Sequence, residues 1–425
     1  MNDVIVKLPY GDNEIELRVP NDNLRGILRA SDTQSDVDEV EVVLQALQNP
    51  IGSLVLHSLV RPGQKVVIVT SDLTRPCPAS LLLPPVVDEL NAGGVSDEDI
   101  TVVIALGLHR PLARSEIVQL VGAQVSSRVD VVNHDPANTV HIGTTSFGTP
   151  VELFRPLVEA DVRICLGNVE FHWFAGYSGG AKAILPGCAS ERTVTANHAM
   201  MVRDEARGGR LQGNPVREDL EEGVEMVGVD FILNVIVNSR HQVTAAIAGN
   251  VRSAHRQACE LVGVRSTVGL PERADIVVVS AGGTPSDINL YQAQKALDNA
   301  VGAVRRGGAL VWLAQCREGV GNSVFEQWMS AAGSSQEIID RIQREFALGG
   351  HKAAALAATV QHAQVYLVSD LQTDMFAGLG VIQLADAQQA FDRALAGQGV
   401  GASVLVMPQG GATFPVVAAD AELSR

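Results

Sequence analysis

The chain is poor in cysteine, in positive charge and in long apolar runs, and each shortage closes off a class of protein. Its five cysteines (Cys77, Cys165, Cys188, Cys259, Cys316) lie far apart, are odd in number and show no Cys-x-x-Cys spacing. That argues against a disulfide framework and a structural zinc site, and fits a reduced cytosolic compartment. Lysine and arginine number 32 against 48 aspartates and glutamates, a formal net charge of -16. With no basic block against that background, nucleic acid and an anionic membrane are poor partners and the expected ligand is small. No apolar run approaches a membrane span, and Met1-Asn2-Asp3-Val4 carries no basic segment leading into an apolar one, so the expected location is cytoplasmic. Two nucleotide signatures are also missing. Lys182 is flanked by Ala181 and Ala183 where a P-loop needs glycine before and a hydroxyl after, and no Gly-x-Gly-x-x-Gly follows an early strand.

What is present is a long alternation of strand-like and helix-like segments. With 425 residues and 46% hydrophobic content, the chain can build more than one core. Apolar runs at 64–70, 100–106, 129–132, 162–166 and 231–237 alternate with helical segments at 79–90, 114–121 and 218–226. This predicts an α/β fold: two doubly wound domains with mostly parallel sheets and an active-site cleft between them. The expected domains are 1–270, beginning with a peripheral hairpin around Tyr10-Gly11-Asp12-Asn13, then 271–400, with 401–425 as a strand and tail that could return to the first domain. No feature specifies an oligomeric state.

Chemistry-bearing residues gather where strands end, the usual place for sites in α/β proteins. The richest stretch runs from Gly167 to His198 and holds His172, Lys182, His198 and a run of glycines that includes Gly176, Gly179 and Gly180. Those glycines permit sharp turns and close approach to a bulky ligand, and Lys182 can meet an anion or act as a nucleophile. A plain turn with a solvated lysine is the alternative. Arg75, beside Asp72 and Thr74, suits a carboxylate held by a planar pair of donors with Asp72 orienting it, or else a structural ion pair. His109 follows the next strand and suits proton transfer near neutrality. His109 and His172 could stand on two sides of a substrate, as racemisation requires. His198 is a lone candidate metal ligand with no partner at a recognised spacing, so most ligands of any metal must come from elsewhere. Tyr291, Gln292 and Lys295 share one helix face and could reach a carboxylate or an oxyanion, or lie solvated.

Taken together, Ser71-Asp72-Leu73-Thr74-Arg75-Pro76, Gly107-Leu108-His109-Arg110-Pro111, His172 through Pro186, Asn197-His198, Gly213-Asn214-Pro215 and Tyr291-Gln292-x-x-Lys295 resemble the nickel-dependent lactate racemases and their 2-hydroxyacid racemase and epimerase relatives. The resemblance spans nearly the whole chain. It implies an isomerase carrying a nickel pincer nucleotide made by cofactor-synthesis proteins, with Lys182 as the tethering lysine, Thr74, Gly179 and Gly180 beside the cofactor, and His198 as a nickel ligand. It further implies His109 and His172 as alternating acid and base, Lys295 as a catalytic group, and Asp72, Arg75, Tyr291 and Gln292 as substrate-binding residues. Leu108 and Phe171 depart from the pattern of lactate-specific members, which implies a reshaped pocket. The competing readings are a nicotinamide-dependent 2-hydroxyacid oxidoreductase, suggested by Tyr291 and Lys295, and a non-catalytic binding relative.

Overall fold

The computed structural model describes residues 3–29, 38–238, 240–347, 349–372 and 374–417. The chain divides into two compact units, one formed by Asp32–Val264 and the other by Met1–Ser31 with Arg265–Arg425. Each is α/β and built on a six-stranded sheet.

In the Asp32–Val264 unit the sheet order is Val243–Gly249, Phe231–Val237, Val162–Asn168, Val66–Ser71, Ile100–Ala105, Asp130–Asn133, and only Val243–Gly249 runs antiparallel to its neighbour. Alternating side chains of the central strand feed two cores. Val66 and Ile68 pack with Leu82 and Val86 of the helix Ala79–Ala92, while Val67 and Val69 join Leu185, Leu220 and Ala258. Burial on both faces explains why these strands read as continuous apolar runs. Chain order moves outward from Val66–Ser71 to Asp130–Asn133, then resumes on the opposite side at Val162–Asn168. The reversal leaves a switch point between Val66–Ser71 and Val162–Asn168, and the loops after these two strands carry Asp72 to Arg75 and His172 to Lys182.

The second unit's sheet is parallel throughout, in the order Val381–Leu384, Gln364–Val368, Val304–Leu313, Ala274–Ser280, Val404–Met407, Leu24–Ile27. The hairpin Asp3–Tyr10/Asn13–Pro20 belongs here and not to a domain 1–270. Its Val6, Leu8, Leu17 and Val19 share a core with Ile276, Val311 and Phe391. Its turn is fastened to the sheet's strand-end loops: Gly11 N donates to Asp287 Oδ2 at 2.7 Å, Thr284 N to the Gly11 carbonyl at 2.9 Å, and Ser280 Oγ to the Pro9 carbonyl at 2.5 Å. The tail stays with this unit too. Val404–Met407 is an inner strand, and Phe414–Val417 pairs with Thr267–Leu270; residues 418–425 fall outside the described part. No helix among the described residues is long and apolar enough to cross a membrane.

Candidate active site

Asp72 opens the loop after Val66–Ser71, and both of its carboxylate oxygens are engaged. Oδ1 accepts from Thr74 N at 3.1 Å and Thr74 Oγ1 at 2.6 Å, and Oδ2 lies 2.6 Å from His109 Nδ1. Burial pushes this carboxyl up, but the hydrogen bonds from His109 and Thr74 outweigh it and hold Asp72 below the usual carboxylate range. The expected pairing of Asp72 with Arg75 is therefore replaced by a pairing with His109, and the Thr74 hydroxyl is turned onto Asp72. A carboxylate only accepts, so His109 carries a proton on Nδ1 and, when neutral, its lone pair on Nε2.

The stretch after Val162–Asn168 folds around Phe174. That buried ring meets the His172 ring at 4.5 Å, the His198 ring at 4.9 Å and Lys182 Nζ at 5.7 Å. Three of the residues singled out from the sequence thus share one aromatic neighbour that sequence reasoning passed over. His172 Nδ1 accepts from Ala175 N at 3.2 Å, so the neutral ring carries its proton on Nε2. Burial, reinforced by the charges of Lys182, Arg75, His198 and Arg217, pushes His172 well below the ordinary histidine value. Lys182 is likewise held well below the ordinary lysine value, by burial first and then by Arg217 and Arg75. Arg75 acts on both groups, which links the loop of Asp72 and His109 to that of His172 and Lys182. A second link is Gly107 N donating to the Gly187 carbonyl at 2.9 Å.

Arg217 is the other residue the sequence reading missed. It is fully buried, donates from Nε to the Ala175 carbonyl at 3.1 Å and from Nη2 to the Tyr177 carbonyl, and lies 3.6 Å from Glu221. Burial brings it down to about 10. One arginine therefore clamps the turn behind His172 and adds positive charge beside Lys182. Asn214 assists: its side chain caps the helix Pro215–Glu225 and donates to the Phe174 carbonyl at 2.8 Å. The Gly213-Asn214-Pro215 motif is thus a brace for the loop.

Gly179 and Gly180 lie close against protein neighbours. A Cβ on Gly179 would lie 2.7 Å from Val169 Cγ2 and 2.9 Å from Asn234 Oδ1, and one on Gly180 would lie 2.8 Å from the His255 ring; both have positive φ. They seat the Lys182 turn, Gly180–Ala183, on Asn234, which accepts from Gly180 N at 3.0 Å, and on His255. His255 in turn is bonded to the Ser178 carbonyl at 2.8 Å.

The donor set suits the implied cofactor. A half-buried, easily neutralised Lys182 amine is the nucleophile that a covalent tether needs, and His198 is a single imidazole on the same aromatic wall. Among the described residues no three His, Cys, Asp or Glu converge to hold a metal, so a metal at His198 would take further donors from the cofactor itself. Tyr291, Gln292 and Lys295 lie in the other unit on the helix Leu290–Ala300, whose N-cap Asn289 accepts from Gln292 N. Tyr291 neighbours Phe325 and His351, and Lys295 is exposed.

Comparison with known proteins points one way. A model described as lactate racemase N-terminal domain matches residues 10–209, and one described as lactate racemase C-terminal domain matches 270–414. A protein named lactate racemase from Thermoanaerobacterium thermosaccharolyticum is 35% identical over 79% of this chain and 80% of its own length. Another of that name, from Lactiplantibacillus plantarum, is 31% identical over 96% of this chain and 98% of its own. The structure of the lactate racemase apoprotein from Thermoanaerobacterium thermosaccharolyticum superposes with a TM-score of 0.89 at 31% identity, covering 97% of this chain and all of the other. A crystal structure of a Thermotoga maritima protein, at 18% identity and a TM-score of 0.67, shares the fold.

Proposed function

The chain belongs to the lactate racemase family, and on that premise we propose that it is a racemase or epimerase of a 2-hydroxy acid. It is an isomerase. In this reading the hydroxyl proton is removed and returned, while a hydride leaves the carbon to give a 2-oxo acid and comes back to its other face. The observation that carries the reading is the complementary state of two histidines. His109, with Nδ1 bonded to Asp72, presents a basic Nε2, whereas His172, with Nδ1 accepting from Ala175, presents an Nε2–H. His109 is thereby poised to take the hydroxyl proton, while the neutral His172 offers an Nε2–H hydrogen bond to the substrate oxygen and serves as acid in the alternating cycle only once it has itself taken up a proton.

When bound, a nickel pincer nucleotide would supply the hydride acceptor; Lys182 would hold it through its amine and His198 through its imidazole. Arg75 is the group we assign to the substrate carboxylate, because its guanidinium is the half-buried cation following the same strand end as Asp72. We assign substrate binding to Tyr291 and Gln292, and a catalytic contact to Lys295. Phe171 stacks on Tyr177 at 4.9 Å, and Leu108 packs beside the same core.

The test is stereochemical. Protein produced together with cofactor-synthesis enzymes should interconvert the enantiomers of at least one 2-hydroxy acid in a panel running from lactate to larger side chains. H109Q and H172Q should each lower the rate about 10²–10⁴-fold. Interconversion at the wild-type rate in either variant contradicts the assignment.

A further inference from the structure

The helix Glu191–His198 ends on the candidate ligand, and the residue before it is fully buried and fully committed. Asn197 Nδ2 donates to Asp219 Oδ2 at 2.7 Å and to the Val216 carbonyl at 3.1 Å. Both partners can only accept, so the amide has a single satisfactory orientation. In that orientation Oδ1 lies 3.0 Å from His198 Nδ1. An amide oxygen cannot donate, so Nδ1 must carry the proton, which puts the lone pair of the neutral ring on Nε2. Asp219 is itself immobilised. It is fully buried and accepts from Thr145 Oγ1 at 2.5 Å and from Thr149 Oγ1 at 2.9 Å, while Thr149 N donates to Thr145 Oγ1 at 3.1 Å.

We propose that Asp219 and Asn197 are positioning residues for His198: a buried carboxylate and amide in series that fix the tautomer and ring orientation with which His198 meets a metal. The inference rests on reading His198 as the ligand. Its physical content is that an imidazole presented in one tautomer and one rotamer loses little freedom on coordination, which is how groups behind a metal-binding histidine raise affinity. The anchor is distant in sequence, on the far helix Pro215–Glu225 and the turn carrying Thr145 and Thr149, so no spacing rule around His198 reveals it.

The test uses the full-length chain without cofactor, labelled with ¹⁵N-histidine, with H198Q assigning the signal. Two-bond proton–nitrogen correlations at a pH where the ring is neutral should show His198 protonated at Nδ1. In D219N the new amide can donate toward Asn197 while the Val216 carbonyl still only accepts, so Asn197 loses its single orientation and the one Nδ1–H signal of His198 should give way to a mixture of tautomers. Should D219N fail to fold, N197A leaves Asp219 and both threonines in place and should release His198 from the fixed Nδ1–H state. In chain loaded with cofactor and nickel, N197A should release nickel to a chelator about 10- to 100-fold faster than wild type. An Nε2–H tautomer in the wild type, or an unchanged tautomer in N197A, overturns the relay and leaves the ligand reading standing. A loaded H198Q chain that keeps its nickel overturns the ligand reading, and this proposal with it.

Discussion

At the scale of single residues, the chemistry rests on groups whose charge the fold has decided. Asp72 is ionised and His172 neutral for opposite reasons: hydrogen-bond donors converge on the first, and burial with cations surrounds the second. Replacing Asp72 by Asn should keep the volume but remove the carboxylate that fixes His109, lowering turnover and altering the acid limb of the pH–rate profile. An unchanged profile would show that the 2.6 Å contact has no part in the reaction. Arg217 makes a different kind of forecast. Taking away its guanidinium strands the Ala175 and Tyr177 carbonyls, while Glu221 keeps its paired hydrogen bonds from Arg256. R217M should therefore cost about 1–3 kcal/mol for each carbonyl left unpaired, read in a denaturant titration, and R217K should recover little of it, because an ammonium cannot reproduce the paired geometry.

At the scale of elements, the strand-end loops do the positioning, and their legibility in the sequence was uneven. The buried parallel strands announced themselves as apolar runs, and the helix Arg114–Val121 and strand Phe231–Val237 lie where the pattern put them. Thr139–Thr144, Pro150–Phe154 and Val381–Leu384 did not, because short edge and hairpin strands carry only a weak alternation, and Val243–Gly249 did not, because its alanines and glycine have little strand preference. In the site, the titratable residues could be named because their chemistry is unusual beside glycines. Phe174 and Arg217 could not, since an aromatic and a helical arginine read as ordinary core and surface until the chain is folded. Gly179 and Gly180 also have a packing role that glycine spacing does not reveal, seating their turn on Asn234 and His255. Gly176 makes the consequence testable: its φ is +77°, and a Cβ there would lie 2.1 Å from the Arg210 carbonyl oxygen. G176A should displace the turn that carries His172 and Phe174, reducing both thermal stability and activity. N214A should cost about 0.5–2 kcal/mol through the lost helix cap, read as a lowered unfolding midpoint.

At the scale of the whole molecule, the two units are not successive in sequence, and this has a mechanical consequence. Because the hairpin Asp3–Tyr10/Asn13–Pro20 packs in the core of the unit completed by Arg265–Arg425, deleting residues 3–20 should destabilise that unit and leave the one bearing Lys182 and His198 intact. Limited proteolysis followed by mass analysis would show which half is cut first. Acid stability belongs to this scale as well. His134 and His255 are each 1% exposed and held neutral by burial, His134 down to about 4 and His255 well below its ordinary value. The unfolded chain takes up protons on these rings below about pH 6.5 while the native chain does not. Stability is therefore fully present above that pH and falls on acidification, with His134's share levelling off near pH 4. Each ring contributes on the order of 1.4 kcal/mol per pH unit within its window, a slope that H134F and H255F should diminish.

The claim on which the rest depends is that Lys182 and His198 hold a nickel-bearing cofactor at which a 2-hydroxy acid is inverted. Intact mass and nickel content of protein matured with the cofactor-synthesis enzymes, with K182A alongside, test it most directly. Wild type should carry an adduct of nucleotide size and about one nickel per chain, both lost in K182A together with racemisation. Matured protein that racemises a 2-hydroxy acid without adduct or nickel, or K182A that retains both, would contradict it.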